Sequence, residues 1–424
     1  MTLGDVANRK TAHVAYYVVV GLLAVMGLAV LGYRLAEGMK VTSLTSSIPW
    51  GMWVSAYIYF VGLSAGSFLL STLIYVFNMR QFERIGRIAL LSAFFALAAA
   101  LLFIWIDLGQ PWRFWRMFLT PNWTSVMTIE GWLYIIYMLI IVAELWLLMR
   151  ADLARLAEEE TGFRQTLYRL LALGYEPQMT AEAVEASEEA TRRWVTVLGV
   201  IGVPTAIAVH GGTGSIFAVA IARPYWSTPL MPIVFLVSAL VSGTALVTFI
   251  YAFFGRRDAE HGQLVRSLSG LLVLFIAIDI ILLIFDALVS LYSATPEHGD
   301  VWRAVATGQY AFVFWGGQIG LGALIPMFLI GYRGTQRSTT WLGLAGLSAV
   351  IGIIGVRLNI VIPGFVVPEL QGLDSAFVDS RLLYDYFPSS WEWLSTIGLV
   401  AAIVLAFSIA LELLPVYGRE EVRS

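Results

Sequence analysis

A chain of 424 residues that is 59% hydrophobic and only 13% charged, with a mean hydropathy of +0.79, falls outside the range of soluble globular proteins, where about 25% of residues are charged. Its net charge of -3 arises from scattered residues with no basic stripe, which excludes nucleic acid as a partner. It contains no cysteine, which excludes disulfides, thiolate zinc, iron–sulfur ligation and covalent c-type haem, so any iron–sulfur or haem centre working with this chain belongs to a partner.

Apolar windows long enough for a bilayer core, roughly 20 residues as helix, recur near 12–33, 52–77, 87–107, 126–149, 194–221, 229–254, 266–292, 308–331, 341–362 and 392–415. Lipid leaves no partner for an unpaired backbone, so these windows predict an all-α integral membrane protein of ten transmembrane helices. The first is preceded by Arg9 and Lys10 and followed by no small-residue cleavage site, which reads as a retained span.

Sorting the basic residues by loop puts 18 of 26 on one side, among them Arg80, Arg84, Arg87, Arg256, Arg257, Arg333, Arg337, Arg419 and Arg423. The positive-inside rule then places both termini in the cytoplasm. The charged stretch 150–193 reads as a solvated cytoplasmic helix hairpin.

"FVGLSAGSFLLSTL" at 60–73 and "FLVSALVSGTALVTF" at 235–249 lie four spans apart and both carry small residues suited to close helix approach. They suggest two parallel-repeat four-helix bundles, spans 2–5 and 6–9, with the first and last spans peripheral. The chain then divides into 1–50 (first span and periplasmic loop), 51–222 (first bundle with the 150–193 hairpin), 223–365 (second bundle) and 366–424 (periplasmic loop and last span).

Ionisable residues at membrane depth cost about 2.5–3.5 kcal/mol each and are functional candidates by default: Asp107, Glu130, Glu144, His210, Asp279, Asp286, Arg357 and Glu412. Asp107 ends the third span and Glu130 opens the fourth. His210, in "HGGTG", lies 16 residues past Trp194, about 24 Å along the fifth helix. The three therefore share one outer level, beneath the Trp-rich segment "DLGQPWRFWRMFLTPNWTSVMTIEGW". Such a cap suits a ligand with a lipid-soluble tail and a head that exchanges protons, as a quinone does, and His210 or a carboxylate would take those protons.

The bland reading of His210 is a hydrogen bond to a neighbouring helix. A b-type haem pair is not available, since His13, His261 and His298 fall at other depths. The glycines of "HGGTG" read as a break that turns the fifth helix along the interface. Glu144, Asp279, Asp286 and Arg357 form either a proton path or structural pairs.

"SIPWGMWVSAYIYFVGLSAGSFLLS", "DLGQPWRFWRMF", "TSVMTIEGWLY", "HGGTGSIFAVAIARPYWSTPLMPIVFLVSALVSGTAL" and "RLNIVIPG", spread over 48–365, together resemble the NrfD-like family, the membrane subunits of polysulfide reductase type. Ten spans resemble the longer branch, which includes the membrane subunits of alternative complex III, menaquinone reductase and periplasmic hydrogenase; the shorter branch has eight.

The resemblance implies an exchangeable menaquinone or ubiquinone at the periplasmic side of the first bundle, no haem or iron–sulfur cluster on this chain, and electron exchange with a ferredoxin-like iron–sulfur subunit. It also implies molybdopterin-type or multihaem cytochrome partners in the cytoplasmic membrane of a bacterium or archaeon. By position Asp107, His210 and Arg357 match the family's acidic, histidine and ninth-span arginine positions. Where polysulfide reductase carries Asn and His early in the second span, this chain has Ser55 and Tyr57, so the headgroup contacts differ. Trp112 and Arg113 complete the expected quinone site with Asp107, Glu130, His210, Ser55 and Tyr57. A secondary transporter or proton channel, and a purely structural anchor, are the competing readings; transporters bind near the midplane, whereas the polar residues here gather at one face.

Overall fold

The computed structural model describes residues 3–76, 83–177, 180–292, 296–368, 370, 372–376 and 379–417. Arg80, Arg419 and Arg423 of the charge count lie outside them. Among the described residues the chain is all-α, and ten helices are long and apolar enough to cross a membrane. We number the helices α1 (Leu3–Glu37), α2 (Met52–Val76), α3 (Glu83–Asp107), α4 (Val126–Glu159), α5 (Gly162–Ala172), α6 (Ala181–Ala218), α7 (Met231–Phe254), α8 (His261–Tyr292), α9 (Pro296–Ala306), α10 (Val313–Gly331), α11 (Thr339–Val361) and α12 (Ser390–Leu413). All but α5 and α9 are candidate spans.

The packing runs in two groups. In one, α2 packs on α3 and α6, and α4 on α6 and α3; in the other, α7 packs on α8 and α11, and α11 on α10. The groups meet where α2 crosses α7. There the two sequence segments with the repeated pattern lie face to face: a Cβ on Gly66 would sit 1.9 Å from the Ala239 carbonyl oxygen, and one on Gly243 2.1 Å from the Gly66 carbonyl carbon. Helices in lipid gain little from apolar burial, so this backbone-to-backbone approach, open only to glycine, supplies the packing that joins the groups. Helices α1 and α12 pair at the periphery, touching at Gly27 and Gly398.

Loops 38–51, 108–125, 219–230 and 367–389 collect at one end, called here the cap end. At the opposite end the segment 150–193 folds differently from a detached hairpin. Helix α4 continues to Glu159, α6 begins already at Ala181, and α5 lies between. One side of this segment is buried, through Leu153, Ala157, Tyr168 and Ala172, and the Arg87–Asp152 ion pair at 2.6 Å fastens it to α3. The charged residues ended the apolar windows without ending the helices, because water tolerates a helix that lipid no longer needs.

The expected break at "HGGTG" is absent: α6 runs unbroken through Gly211, Gly212 and Gly214 to Ala218. The reason is contact. A Cβ on Gly214 would lie 2.7 Å from the Pro232 Cα of α7, and one on Gly212 would meet the Glu130 side chain at 3.9 Å. Of the three, Gly214 is the one that lets α6 pack closely on α7, since Gly211 has open space around it.

Candidate functional site

Glu130 sits four residues into α4 and is 2% exposed. Its Oε1 is surrounded by three hydroxyls: Thr213 of α6 at 2.5 Å, Tyr134 one turn further along α4 at 2.7 Å, and Tyr57 of α2 at 3.3 Å. The phenols also bond to each other at 2.5 Å. The other oxygen, Oε2, is buried and has no hydrogen-bond partner. Three helices thus converge on one carboxylate and satisfy only half of it.

His210 lies one turn before Thr213 on the same helix and is fully buried. Neither ring nitrogen has a side-chain partner, and the polar group it faces is the Phe235 main chain of α7. Its ring lies 5.6 Å from the Phe235 ring, and the Arg357 guanidinium stacks over the same ring at 5.1 Å. Arg357, also fully buried, donates from Nη2 to Ser238 Oγ at 2.7 Å, leaving Nε and Nη1 unpartnered. Gly62 of α2 fills the space between them: a Cβ there would lie 2.9 Å from Arg357 Nη2 and 3.4 Å from His210 Cε1. Toward the cap end, Trp50, Phe217, Trp226 and Phe365 interlock above this arrangement, with centroids 4.7–6.1 Å apart.

The structure therefore brings Glu130, Tyr57 and His210 together, with Arg357 reached through Phe235. Asp107 stands elsewhere. The charges facing it are Arg34, at the end of α1, and Glu392, at the start of α12, and its Oδ1 is buried without a partner. Arg34 is 2% exposed, donates to the Leu108 carbonyl at 2.7 Å and stacks over Trp53 at 5.9 Å. Glu392 accepts from Tyr386 Oη at 2.5 Å and from the Ser43 and Ser389 main chains at 2.9 Å each. Burial and that adjacent carboxylate hold the Tyr386 phenol well above its ordinary range.

Ser55 donates to the Gly51 carbonyl of its own helix. Trp112 and Arg113 lie exposed in a short turn between Pro111 and Arg113, with Trp112 against Trp105. Glu144 is 1% exposed and both its oxygens lack partners. It lies 14 residues beyond Glu130 on α4, about 21 Å toward the opposite end. Asp279 and Asp286 of α8 line a cavity of about 50 Å³ in the second group, together with Tyr225, Trp302, Gln318 and Asn359. Glu412 accepts from Tyr17 at 2.8 Å and faces His13 at 3.3 Å on the exposed side of α1 and α12.

Sequence reasoning passed over Tyr134, Thr213, Arg34, Glu392, Gln318 and Asn359. The first two carried a signal, since Tyr134 is four residues from Glu130 and Thr213 three from His210, each on the same helix face.

Residues 40–369 match the family model described as polysulphide reductase, NrfD. A subunit of the selenate reductase of Mesobacillus selenatarsenatis is 47% identical over 96% of this chain and 95% of its own length. The Hdr-like menaquinol oxidoreductase integral membrane subunit of Archaeoglobus fulgidus is 28% identical, covering 94% and 92% of the two proteins. A polypeptide of the polysulfide reductase of Wolinella succinogenes is 25% identical, covering 75% and 95%.

Proposed function

The chain belongs to the NrfD polysulphide reductase family, and from that premise we propose that it is the quinone- or quinol-binding membrane subunit of a multi-subunit oxidoreductase. Relatives carry the names of a selenate reductase subunit, a polysulfide reductase chain and a menaquinol oxidoreductase integral membrane subunit. The observation that carries the reading is the pair of unsatisfied proton acceptors on neighbouring helices, Glu130 Oε2 and the His210 ring. Buried polar atoms are ordinarily paired, so two of them close together fit a ligand that brings hydroxyls. A bound quinone supplies two-electron, two-proton chemistry.

Glu130, steadied by its three hydroxyls, and His210 each hold or release one proton, so the two match that stoichiometry. The hydroxyl cage presents Oε2 in one orientation. The interlocked aromatics toward the cap end exclude water from the same space. Since Glu130 is 2% exposed, a headgroup reaches it by displacing part of the cap, where Met117 and Phe118 lie against Gly131. Asp107 with Arg34 belongs to the rim of this region.

Electrons pass to or from an iron–sulfur subunit on the cap side, with molybdopterin-type or multihaem subunits beyond it. The basic residues at the opposite end make that end cytoplasmic, in the cytoplasmic membrane. Glu144, Asp279, Asp286 and Arg357 are the steps of a proton route.

The test is to purify the complex from membranes, extract and identify its quinone, and compare quinol-dependent turnover in Glu130→Gln and His210→Ala, with the full set of subunits retained in each. Loss of turnover supports the reading, and full activity in the double variant overturns it. The polar cavity of the second group favours a secondary transporter or proton channel as a second reading. Ion or solute uptake by the isolated protein in liposomes would support that one instead.

A further inference from the structure

The second helix group holds a largely apolar chamber in which Asp279 and Asp286 of the proposed proton route meet a cluster of polar side chains that the quinone site does not use. Its wall comes from α8 (Asp279, Asp286), α9 (Trp302), α10 (Gln318), α11 (Asn359) and the loop before α7 (Tyr225). The first twelve residues of α10, Val313–Leu324, form a π-helix, a rare winding concentrated at functional sites. Its glycines bring it against α11, where a Cβ on Gly352 would lie 2.1 Å from the Gly322 nitrogen. Gln318 stands on this segment.

The hydrogen-bond inventory of the wall is lopsided. Trp302 Nε1 is already donated to Asp286 Oδ2 at 3.2 Å, Asn359 Nδ2 to Gln318 Oε1 at 2.9 Å, and the Tyr225 hydroxyl to the Asn359 carbonyl at 3.2 Å. Asn359 is 3% exposed and its Oδ1 has no partner. With it, the Asp279 carboxylate and the second oxygen of Asp286 remain as acceptors, two of these three groups being carboxylates, against the neutral Gln318 amide, the second N–H of Asn359 Nδ2 and the Thr228 hydroxyl as donors. Charge is lopsided in the same sense. Arg357, whose hydrogen bond goes to Ser238, reaches Asp279 only as a charge at longer range, while the Asp286 side chain is met by a neutral indole. Two carboxylates against one guanidinium leave one negative charge in an apolar surround, where an uncompensated charge is costly. At about 10–15 Å³ per water-sized particle, the roughly 50 Å³ cavity takes about three to five of them.

We propose that this chamber binds Na⁺, a small, hard monovalent cation, with Asp286 and Asn359 Oδ1 as ligands and Asp279 beside them. An acceptor-rich wall with one unbalanced negative charge asks for an occupant with one positive charge. Oxygen-only ligation suits a hard ion. The titratable or charged groups facing it are Asp279, Tyr225 and Arg357. The proposal rests on the wall chemistry alone, so its failure leaves the reading of Glu130 and His210 intact.

The purified complex and its Asp286→Asn form, nearly identical in shape, are melted in NaCl, KCl and choline chloride at constant ionic strength, and again across a pH series. A saturable rise in melting temperature specific to Na⁺, lost in Asp286→Asn, identifies the metal ion. Indifference to the salt overturns the proposal, also where the wild-type melting temperature falls as pH rises, since a proton on Asp286 itself gives that dependence. A variant that parallels the wild type in both series overturns the proposal.

If Asp286→Asn does not assemble, carbodiimide labelling of the wild-type complex, read by mass spectrometry at the peptide carrying Asp286, replaces it. Protection by Na⁺ at constant pH supports the site. Labelling that ignores Na⁺, or no labelling at all, overturns it.

Discussion

Replacing Gly62 by Ala inserts a methyl between the fully buried side chains of Arg357 and His210 without altering any charge. The added carbon lies 2.9 Å from Arg357 Nη2, 3.3 Å from Ser242 Oγ and 3.4 Å from His210 Cε1. Ordinary contact begins at 3.4 Å, so the Ser242 hydroxyl must yield by about 0.1 Å and the Arg357 tip by about 0.5 Å. That stretches its 2.7 Å bond to Ser238 toward about 3.2 Å, the edge of hydrogen-bond range. Part of a charged hydrogen bond, itself about 1.5–3 kcal/mol, is lost. The helix regains about 0.5–1 kcal/mol from the Gly→Ala exchange. The net cost in stability is therefore under about 1 kcal/mol.

One turn further on, Gly66→Ala meets backbone at 1.9 Å and forces α2 and α7 apart, an overpacking cost of at least about 1–3 kcal/mol. Gly270 has open space around it and serves as the neutral comparison. Melting of the purified complexes by fluorescence-detected size exclusion should rank Gly270→Ala and Gly62→Ala near the wild type and Gly66→Ala well below. Turnover with quinol should fall by about tenfold in Gly62→Ala, since displacements of about 1 Å cost up to about a hundredfold. A Gly62→Ala variant that melts with Gly66→Ala, or that keeps full turnover, refutes the role given to Arg357.

Thr213→Val removes one donor to Glu130 at nearly constant volume and should cost about 1–3 kcal/mol in any step that uses the ionised carboxylate, roughly a 5- to 150-fold fall in turnover; unchanged kinetics would show that the cage is inert. Arg34→Met leaves the Leu108 carbonyl unpaired and removes the stacking on Trp53, so the complex should lose about 2–4 kcal/mol, read as a lower melting temperature; no change would mean that the cap end does not depend on this side chain. At the surface, Arg381 holds the Asp379 carboxyl at about 2. A depressed carboxyl stabilises above its ordinary pKa and loses that as pH falls toward its folded value, so the 379–382 turn should become protease-sensitive between about pH 4 and 2, and Arg381→Ala should move that onset upward. An onset unaffected by the substitution would detach the turn from this pair.

The ten spans were legible because lipid leaves the backbone one solution, and an apolar run of the right length declares it. Glu130 and His210 were legible for the same reason in reverse, as groups too costly to bury idly. What surrounds them was harder. Arg34 was passed over because its burial depends on Trp53 and Leu108, contributed by other parts of the fold. Gly214 of "HGGTG" carried a real signal that was misassigned: glycine weakens a helix in water, but between packed helices it sets how closely they approach. Nothing in a hydropathy profile distinguishes the π winding of α10 from an ordinary turn, and with it the positions of Gln318 and Asn359 stayed hidden.

The crossing of Gly66 over Gly243 also bears on how the protein is made. Its two halves are separated by 177 residues, about 10–35 s of synthesis at typical rates. For that interval α2 is in the membrane with its glycine face uncovered, facing lipid where α7 will later lie. The first four-helix group cannot reach its final packing until the sixth span arrives, so the two halves expressed as separate polypeptides should accumulate only when both are present in the same cell.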